Sequence, residues 1–163
     1  MTLLRCLVPV LFVVFLPARA AEPPSRAAVA SAHPLASAAG MEVMDAGGNA
    51  FDAAVAVSAA LTVVVPNGSG LGGGGFWLLH RAEDRFETFV DGRERAPLAA
   101  SADMYLDENG APITKASREG PLAAGVPGLP AALVHMAETY GALPLAQNLA
   151  PAIRLAREGY PVY

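Results

Sequence analysis

Cysteine and lysine are almost absent from this chain of 163 residues. The single cysteine, Cys6, lies close to the amino terminus, so the remaining residues cannot form a disulfide bond with one another. The single lysine is Lys115, and the three histidines lack the spacing of metal ligands. These shortages argue against a disulfide-stabilised scaffold, a Walker-type phosphate loop and a zinc site, and we expect no cofactor and no metal.

Charged residues are also scarce, at 16% of the chain, and acidic residues outnumber basic ones by 15 to 11. No basic run is present, which argues against nucleic acid or an anionic lipid surface as a partner. Hydrophobic residues make up 53% of the chain, enough for a buried core and too many for a disordered chain. The length suits one domain of ordinary size.

The first twenty residues have the pattern of a secretory signal peptide. Arg5 supplies a positive start, residues 7–16 are an apolar stretch, and Ala18-Arg19-Ala20 is a small-x-small cleavage site. The apolar stretch is short for a membrane span, which disfavours the alternative of an uncleaved anchor. We predict cleavage after residue 20, a secreted or periplasmic location, and no stable membrane insertion. Cleavage removes two arginines and no acidic residue, which changes the net charge from −4 to about −6.

Local signals predict the elements of the first half. Residues 27–31 are compatible with a short strand, and Pro34 suits the first turn of a helix that runs through Asp45. Asn49 can cap a second helix, from Ala50 to about Val64, with Asp52 placed near its positive end. This second helix is apolar on every side, so we expect it to be buried all round.

The second half is predicted to contain a hairpin followed by two helices. Residues 76–80 and 86–90 are short apolar strands joined by a polar turn, and residues 107–110 form a turn in an otherwise irregular stretch. A helix with Pro127 and Pro130 in its first turn should reach Tyr140, and another should run from Pro144 to Glu158. The inward positions expected on this last helix are Leu145, Leu149, Ala152, Ile153 and Ala156.

A glycine-rich segment, GSGLGGGG over residues 68–75, links the second helix to the hairpin. It formally matches the G-x-G-x-x-G dinucleotide fingerprint twice. That fingerprint requires a strand before it and a helix after it, and here the order is reversed. We therefore interpret the glycines as allowing close backbone packing beside a buried strand, with the further hypothesis that this segment borders a substrate pocket.

Six segments, in one order and with similar spacing, resemble the start of the large subunit of γ-glutamyltranspeptidases, also called glutathione hydrolases. They are SAHPLASAAG (31–40), DAGGNAFDAAVA (45–56), SGLGGGGF (69–76), DGRERAP (91–97), GVPG (125–128) and LAPAIRLAREGYPV (149–162). The resemblance covers nearly all of the chain that follows the predicted signal peptide.

The resemblance implies an α+β fold of the N-terminal nucleophile hydrolase type, a four-layer αββα sandwich. Residues 21–163 would be the amino-terminal portion of its large-subunit domain. It also implies an activity, in which the γ-glutamyl group of glutathione is transferred to water or to an amino acid or peptide acceptor. A threonine hydroxyl attacks the γ-carbonyl, and the α-amino group of that threonine, freed by autocatalytic cleavage of the zymogen, serves as base. The small subunit of the same precursor is the implied partner.

The same resemblance assigns one substrate-binding residue in this chain, Arg93, which would grip the α-carboxylate of the γ-glutamyl group. A guanidinium binds a carboxylate through two parallel hydrogen bonds, which lysine cannot reproduce. Composition alone would assign Arg93 to a surface ion pair. Arg95 falls at a variable family position and is interpreted as a solvated charge, whereas Asp91 and Glu94 are interpreted as partners that order the loop, with Glu94 holding the guanidinium.

No catalytic residue is assigned within the chain. Each histidine is interpreted as structural: His33, His80 and His135. In the family the nucleophile lies within a threonine- and glycine-rich stretch. The threonines of this chain that were considered lie in other contexts: Thr62, Thr88, Thr114 and Thr139. We expect the nucleophile to lie outside this chain, which by itself would be inactive and would expose sheet edges and an apolar face. Alternatives are a catalytically silent remnant, a γ-glutamyl-binding module, a related acylase or a poly-γ-glutamate hydrolase.

Overall fold

The computed structural model describes residues 27–162. The predicted signal peptide over residues 1–20 lies outside the described residues. Within them the chain is mixed α and β, as predicted, with a short 3-10 turn at Pro121–Ala123. The main elements are α1 (Pro34–Asp45), α2 (Ala50–Val64), β1 (Phe76–Arg81), β2 (Phe86–Asp91), α3 (Leu129–Tyr140) and α4 (Leu145–Glu158).

Side-chain caps fix the starts of the first two helices, whose predicted bounds are confirmed. The His33 ring accepts a hydrogen bond from the Leu35 N–H through Nδ1 at 3.1 Å, and Pro34 occupies the first helical position. Asn49 Oδ1 accepts from the backbone N–H groups of Phe51 and Asp52 at 2.8 and 3.0 Å. These two caps satisfy donors that a helix start leaves unpaired.

The core is built around α2, which packs against α1, α3 and α4. Val55, Ala56 and Ala60 of α2 are fully buried, and so is Met136 of α3. The prediction for α4 was wrong at two positions, since Ile153 and Ala156 are exposed. Ala152 is buried as predicted, and the same helix also buries Asn148 and Pro151, which were not expected.

Asp52, the acidic residue in the first turn of α2, is fully buried and joins three parts of the fold. Its carboxylate accepts from the N–H groups of Asn49 and Ala142 at 2.9 and 2.8 Å, and from Asn148 Nδ2 at 2.7 Å, with a longer bond from Leu143. Burial raises the pKa of Asp52, but these hydrogen bonds outweigh burial and hold the pKa below its usual value. These hydrogen bonds connect the start of α2 to the turn between α3 and α4.

Strands β1 and β2 form an antiparallel pair with two different faces. Trp77 pairs with Val90 on the face that meets the helices, and Trp77 Nε1 donates to Ser58 Oγ of α2 at 3.2 Å. The opposite face is apolar and open, because Phe76, Leu78 and Phe89 are 54%, 80% and 57% exposed. The predicted hairpin and its open apolar face are both found.

Two predictions in the connecting segments were wrong. Residues 27–31 are not a strand, because a strand needs a neighbour to bond with and the described residues offer none there. Pro127 precedes α3 instead of lying in its first turn. The N–H groups of Gly128 and Leu129 both donate to Gly73 O at 3.1 Å. The backbone before Leu129 therefore bonds to the glycine-rich segment, and α3 begins only at Leu129.

Candidate functional site

The end of the glycine-rich segment, residues 73–75, is bonded to two other parts of the backbone. Gly75 and Gly92 exchange N–H···O bonds of 3.2 and 3.0 Å, which extends the β1–β2 pairing past the strands. Gly73 O accepts the two N–H groups at the start of α3. The segment thus fixes the loop after β2 relative to the helix α3.

At Gly74 there is no space for a side chain, because the glycine-rich segment lies directly against the loop after β2. We call this backbone contact the junction. A Cβ at this position would lie 2.8 Å from Glu94 Oε2 and 2.9 Å from the Cα of Arg93, and it would clash with the carbonyl of Gly92. A Cβ at Gly128 would meet the same carbonyl. The glycines allow close backbone contact, as predicted, and the backbone they contact carries Arg93.

Arg93 is held at both its backbone and its side chain. The backbone N–H of Arg93 donates to Asp91 Oδ1 at 3.0 Å, which makes Asp91 a loop-ordering residue. The side-chain Nε lies 3.3 Å from Glu94 Oε2 in an ion pair. Among residues 27–162 no partner engages the Nη groups, and the side chain is 68% exposed. The Nη edge of the guanidinium is therefore available to a carboxylate ligand.

Arg93 lines a cavity of about 330 Å³ between the loop after β2 and the start of α3. The β2 end of the cavity is formed by residues 90–93 and by Arg95. Its other walls are residues 126–128 and the α3 side chains Ala131, Ala132 and His135. The cavity combines an apolar helix face with charged side chains on one edge, which is typical of a small-molecule site.

Two residues of this cavity were not expected from the sequence. Arg95, interpreted as a solvated charge, borders the same cavity as Arg93. His135, interpreted as structural, borders it from α3, and its Nδ1 lies 3.2 Å from Thr139 Oγ1. His135 lies three residues after Ala132 and four after Ala131, so it shares their face of α3. The sequence alone did not show that the loop after β2 lies opposite that face.

The other candidates lie away from the cavity. His33 caps α1, and His80 pairs with Glu87 at 3.1 Å on the hairpin, so both have the structural roles that were predicted. No threonine of the described part borders the cavity. Residues 27–162 contain no cluster of three or more histidine, cysteine, aspartate or glutamate side chains placed to hold a metal, and none of their helices is long and apolar enough to cross a membrane.

The geometry and the ordered motifs agree with one protein family. The family model for gamma-glutamyltranspeptidase matches residues 36–163, which include the glycine-rich segment, Arg93 and the cavity. The chain belongs to the γ-glutamyltranspeptidase family. The resemblance inferred from the six segments is thereby confirmed.

Individual relatives of this transpeptidase-family chain support the same family assignment. It is 49% identical over 132 residues to a glutathione hydrolase proenzyme of Pseudomonas sp. (strain A14), covering 81% of this chain and 23% of that protein. The crystal structure of Helicobacter pylori gamma-glutamyltranspeptidase matches with a TM-score of 0.81 and 45% identity, over 86% of this chain and 40% of that one. A cephalosporin acylase from Bacillus halodurans matches with a TM-score of 0.69 and 36% identity, over 92% and 28%.

The relatives are considerably longer than this chain. The chain spans about a quarter of the length of the curated relative, whose name describes a proenzyme. The N-terminal nucleophile hydrolase fold type inferred from the sequence agrees with these structural neighbours, and the described helices and hairpin form part of such a fold.

Proposed function

We propose that this chain is the amino-terminal part of an exported γ-glutamyl hydrolase or transferase. The complete protein would cleave the γ-glutamyl amide of glutathione and pass the γ-glutamyl group to water or to an amino acid or peptide acceptor. The family relationship supports the reaction class. The small subunit, released from the same precursor, would complete the site.

One observation carries the proposal, namely that Arg93 lines the cavity and keeps one side of its guanidinium exposed. Its Nε is engaged by Glu94, and its Nη groups lack a partner in the described part of the chain. This arrangement leaves an oriented fork for one carboxylate, and the α-carboxylate of a γ-glutamyl group fits that fork through two parallel hydrogen bonds. Arg93 would thus orient the substrate so that its γ-carbonyl faces the nucleophile.

The nucleophile in this proposal is a threonine outside the chain. Its hydroxyl adds to the γ-carbonyl, the amide C–N bond breaks, and the amine leaves after receiving a proton. Water or an acceptor amine then attacks the acyl-enzyme and releases the threonine. The four threonines of the described part lie on α2, β2, α3 and an irregular segment, all away from the cavity.

The proposal is tested with the complete protein that carries this chain. We expect glutamate release from glutathione, and we expect Arg93→Ala to raise KM for glutathione roughly 10- to 100-fold, the range of a lost charge-assisted hydrogen bond. Arg93→Lys should recover little, because lysine offers no planar fork. Self-cleavage of the precursor should continue in both variants. Unchanged kinetics would remove Arg93 from the substrate site.

A related acylase is the second candidate, because the cephalosporin acylase of Bacillus halodurans shares this fold segment. An acylase of that kind need not require the α-carboxylate. The complete protein should be offered a γ-glutamyl amide and the matching butyryl amide, which lacks both the α-carboxylate and the α-amino group. Equal turnover of the two substrates would favour the acylase, whereas a strong preference for the γ-glutamyl amide would favour the proposed function.

A further inference from the structure

The indole of Trp77 lies against two glycines that are bonded to each other beside the cavity. Gly75 and Gly92 exchange N–H···O bonds of 3.2 and 3.0 Å, and Gly92 directly precedes Arg93. A Cβ on Gly75 would lie 2.9 Å from Trp77 Cη2, and a Cβ on Gly92 would lie 2.7 Å from Trp77 Cζ3. The six-membered ring of Trp77 therefore fills the space that a side chain on either glycine would need.

Helix α3 meets the indole at the same place. The Cβ that would clash with Trp77 at Gly92 would also lie 2.7 Å from Ala132 Cβ, and Gly92 is buried. Gly92, Arg93 and Ala132 all border the cavity. Trp77 does not border it. The indole thus contacts the residue before Arg93 without reaching the space that a ligand would occupy.

The other end of the indole is held by α2. Trp77 Nε1 donates to Ser58 Oγ at 3.2 Å, and the Trp77 side chain packs against the hydrophobic core. A buried indole that has found a partner for its N–H keeps one orientation. The ring therefore fixes the position of Gly92 relative to α2, the helix around which the core is built.

We propose that Trp77 is a positioning residue for the γ-glutamyl substrate and acts through Arg93. By filling the space beside Gly92, the indole sets where the backbone of Arg93 lies relative to the α3 wall of the cavity. A smaller side chain at position 77 would leave space into which the loop after β2 can shift. Such a shift weakens binding, because the grip on a carboxylate depends on the place of the guanidinium. This inference rests on the proposed function.

The test is a double-mutant cycle in the complete protein with glutathione as substrate. Trp77→Leu should raise KM about five- to tenfold, part of the effect of losing Arg93 itself, and should change kcat by less than about twofold. Arg93→Ala removes the group through which Trp77 acts. In that background Trp77→Leu should change kcat/KM by less than about twofold, whereas independent residues would give the same factor in both backgrounds.

Three comparison variants separate positioning from a general loss of stability. Trp77→Phe keeps a flat ring beside the glycines and should recover part of the affinity, and it takes the place of the leucine variant if that variant does not fold. Ser58→Ala removes the acceptor of the indole N–H and should raise KM about two- to threefold. Phe51→Leu shortens a buried side chain that packs against Tyr140 away from the cavity, so it should lower the thermal midpoint and leave KM unchanged.

The outcomes distinguish the two proposals. A rise in KM in the Trp77 variants whose effect on kcat/KM disappears in the Arg93→Ala background supports the inference. An equal loss of kcat/KM in both backgrounds, an unchanged KM in both Trp77 variants, or an equal rise of KM in Phe51→Leu would overturn the role of Trp77 while the γ-glutamyl activity stands. Absence of glutathione turnover by a correctly cleaved, unmodified protein would overturn the proposed function itself.

Discussion

Glu94 Oε2 lies 3.3 Å from Arg93 Nε, and the same carboxylate packs against the glycine-rich segment at Gly74. One acidic side chain thus links the Arg93 guanidinium to the close backbone contact between the glycine-rich segment and the loop after β2. It restricts the guanidinium to orientations in which its Nη edge is available to a ligand.

Glu94→Gln should weaken this orientation without abolishing binding. Glutamine keeps the size and one acceptor oxygen but loses the charge, so we expect KM for γ-glutamyl substrates to rise about two- to fivefold, the range of a partly exposed ion pair. Steady-state kinetics of the complete protein measure this effect. Glu87→Gln is the matched control, since Glu87 pairs with His80 on the hairpin away from the cavity. An effect as large as that of Arg93→Ala would mean that Glu94 contacts the substrate itself.

Gly74→Ala should displace the backbone of Arg93, which lies against Gly74. The new Cβ has no space between Glu94 and the backbone of Arg93, and such overpacking costs about 1–3 kcal/mol of stability. We expect a higher KM for γ-glutamyl substrates together with a lower thermal midpoint. Gly72→Ala is the matched control, because a Cβ there meets nothing within 4 Å and the backbone φ is ordinary. Similar behaviour of the two variants would show that the junction does not support Arg93.

Local chemistry made much of the fold predictable. Pro34 and the Asn49 cap lie at the first turns of the helices they begin, so the starts of α1 and α2 followed from the sequence, whereas the cap from the His33 ring was not predicted. The hairpin followed from two short apolar runs and a polar turn. The strand expected at residues 27–31 depended on a distant partner, which no local pattern can supply.

The site was predictable only in part, for the same reason. The family motif indicated Arg93, and the adjacent residues suggested its partners Asp91 and Glu94. The shared cavity of Arg95 and His135 arises because α3 packs opposite the loop after β2, forty residues away in sequence. Likewise, the α2 cap predicted a role for Asp52, but its bonds to Ala142 and Asn148 span ninety residues or more.

Asp52→Asn should destabilise the protein in a pH-dependent way. The amide group cannot accept all of the N–H donors that the carboxylate satisfies, so we expect a loss of about 2–4 kcal/mol at neutral pH. Because the folded-state pKa lies below the unfolded value of 3.8, the carboxylate stabilises the fold above that pH, and this contribution is lost as pH falls through the folded pKa. The difference between variant and unmodified protein should therefore shrink below about pH 4.

Urea unfolding of the complete protein at several pH values between 7 and 3 measures this difference. Asp45→Asn is the matched control, because Asp45 is exposed at the end of α1 and should change the free energy of unfolding by less than about 0.5 kcal/mol. A difference between the Asp52 variant and the unmodified protein that stays constant with pH would show that the charge of Asp52 contributes nothing to stability.

Substitutions at the adjacent leucines of β1 can show whether the open face of the hairpin is covered in the complete protein. Leu78 is 80% exposed on the open face, and Leu79 is 5% exposed on the helix side. Residues 21–163 expressed alone should show no γ-glutamyl transfer and should aggregate through the open face. Leu78→Glu should reduce that aggregation, whereas Leu79→Glu should prevent folding because it buries an unpaired charge. Light scattering and circular dichroism of the purified fragments measure both effects.

The same substitution should have the opposite effect in the complete protein. In a four-layer sandwich a second sheet covers the face that bears Phe76, Leu78 and Phe89, and a buried glutamate at Leu78 would then lack a partner. We expect Leu78→Glu to lower the thermal midpoint of the complete precursor and to impair its self-cleavage, while it improves the solubility of the fragment. A precursor that tolerates the change without loss would show that the open face stays in contact with water, and the sandwich would not extend over this hairpin.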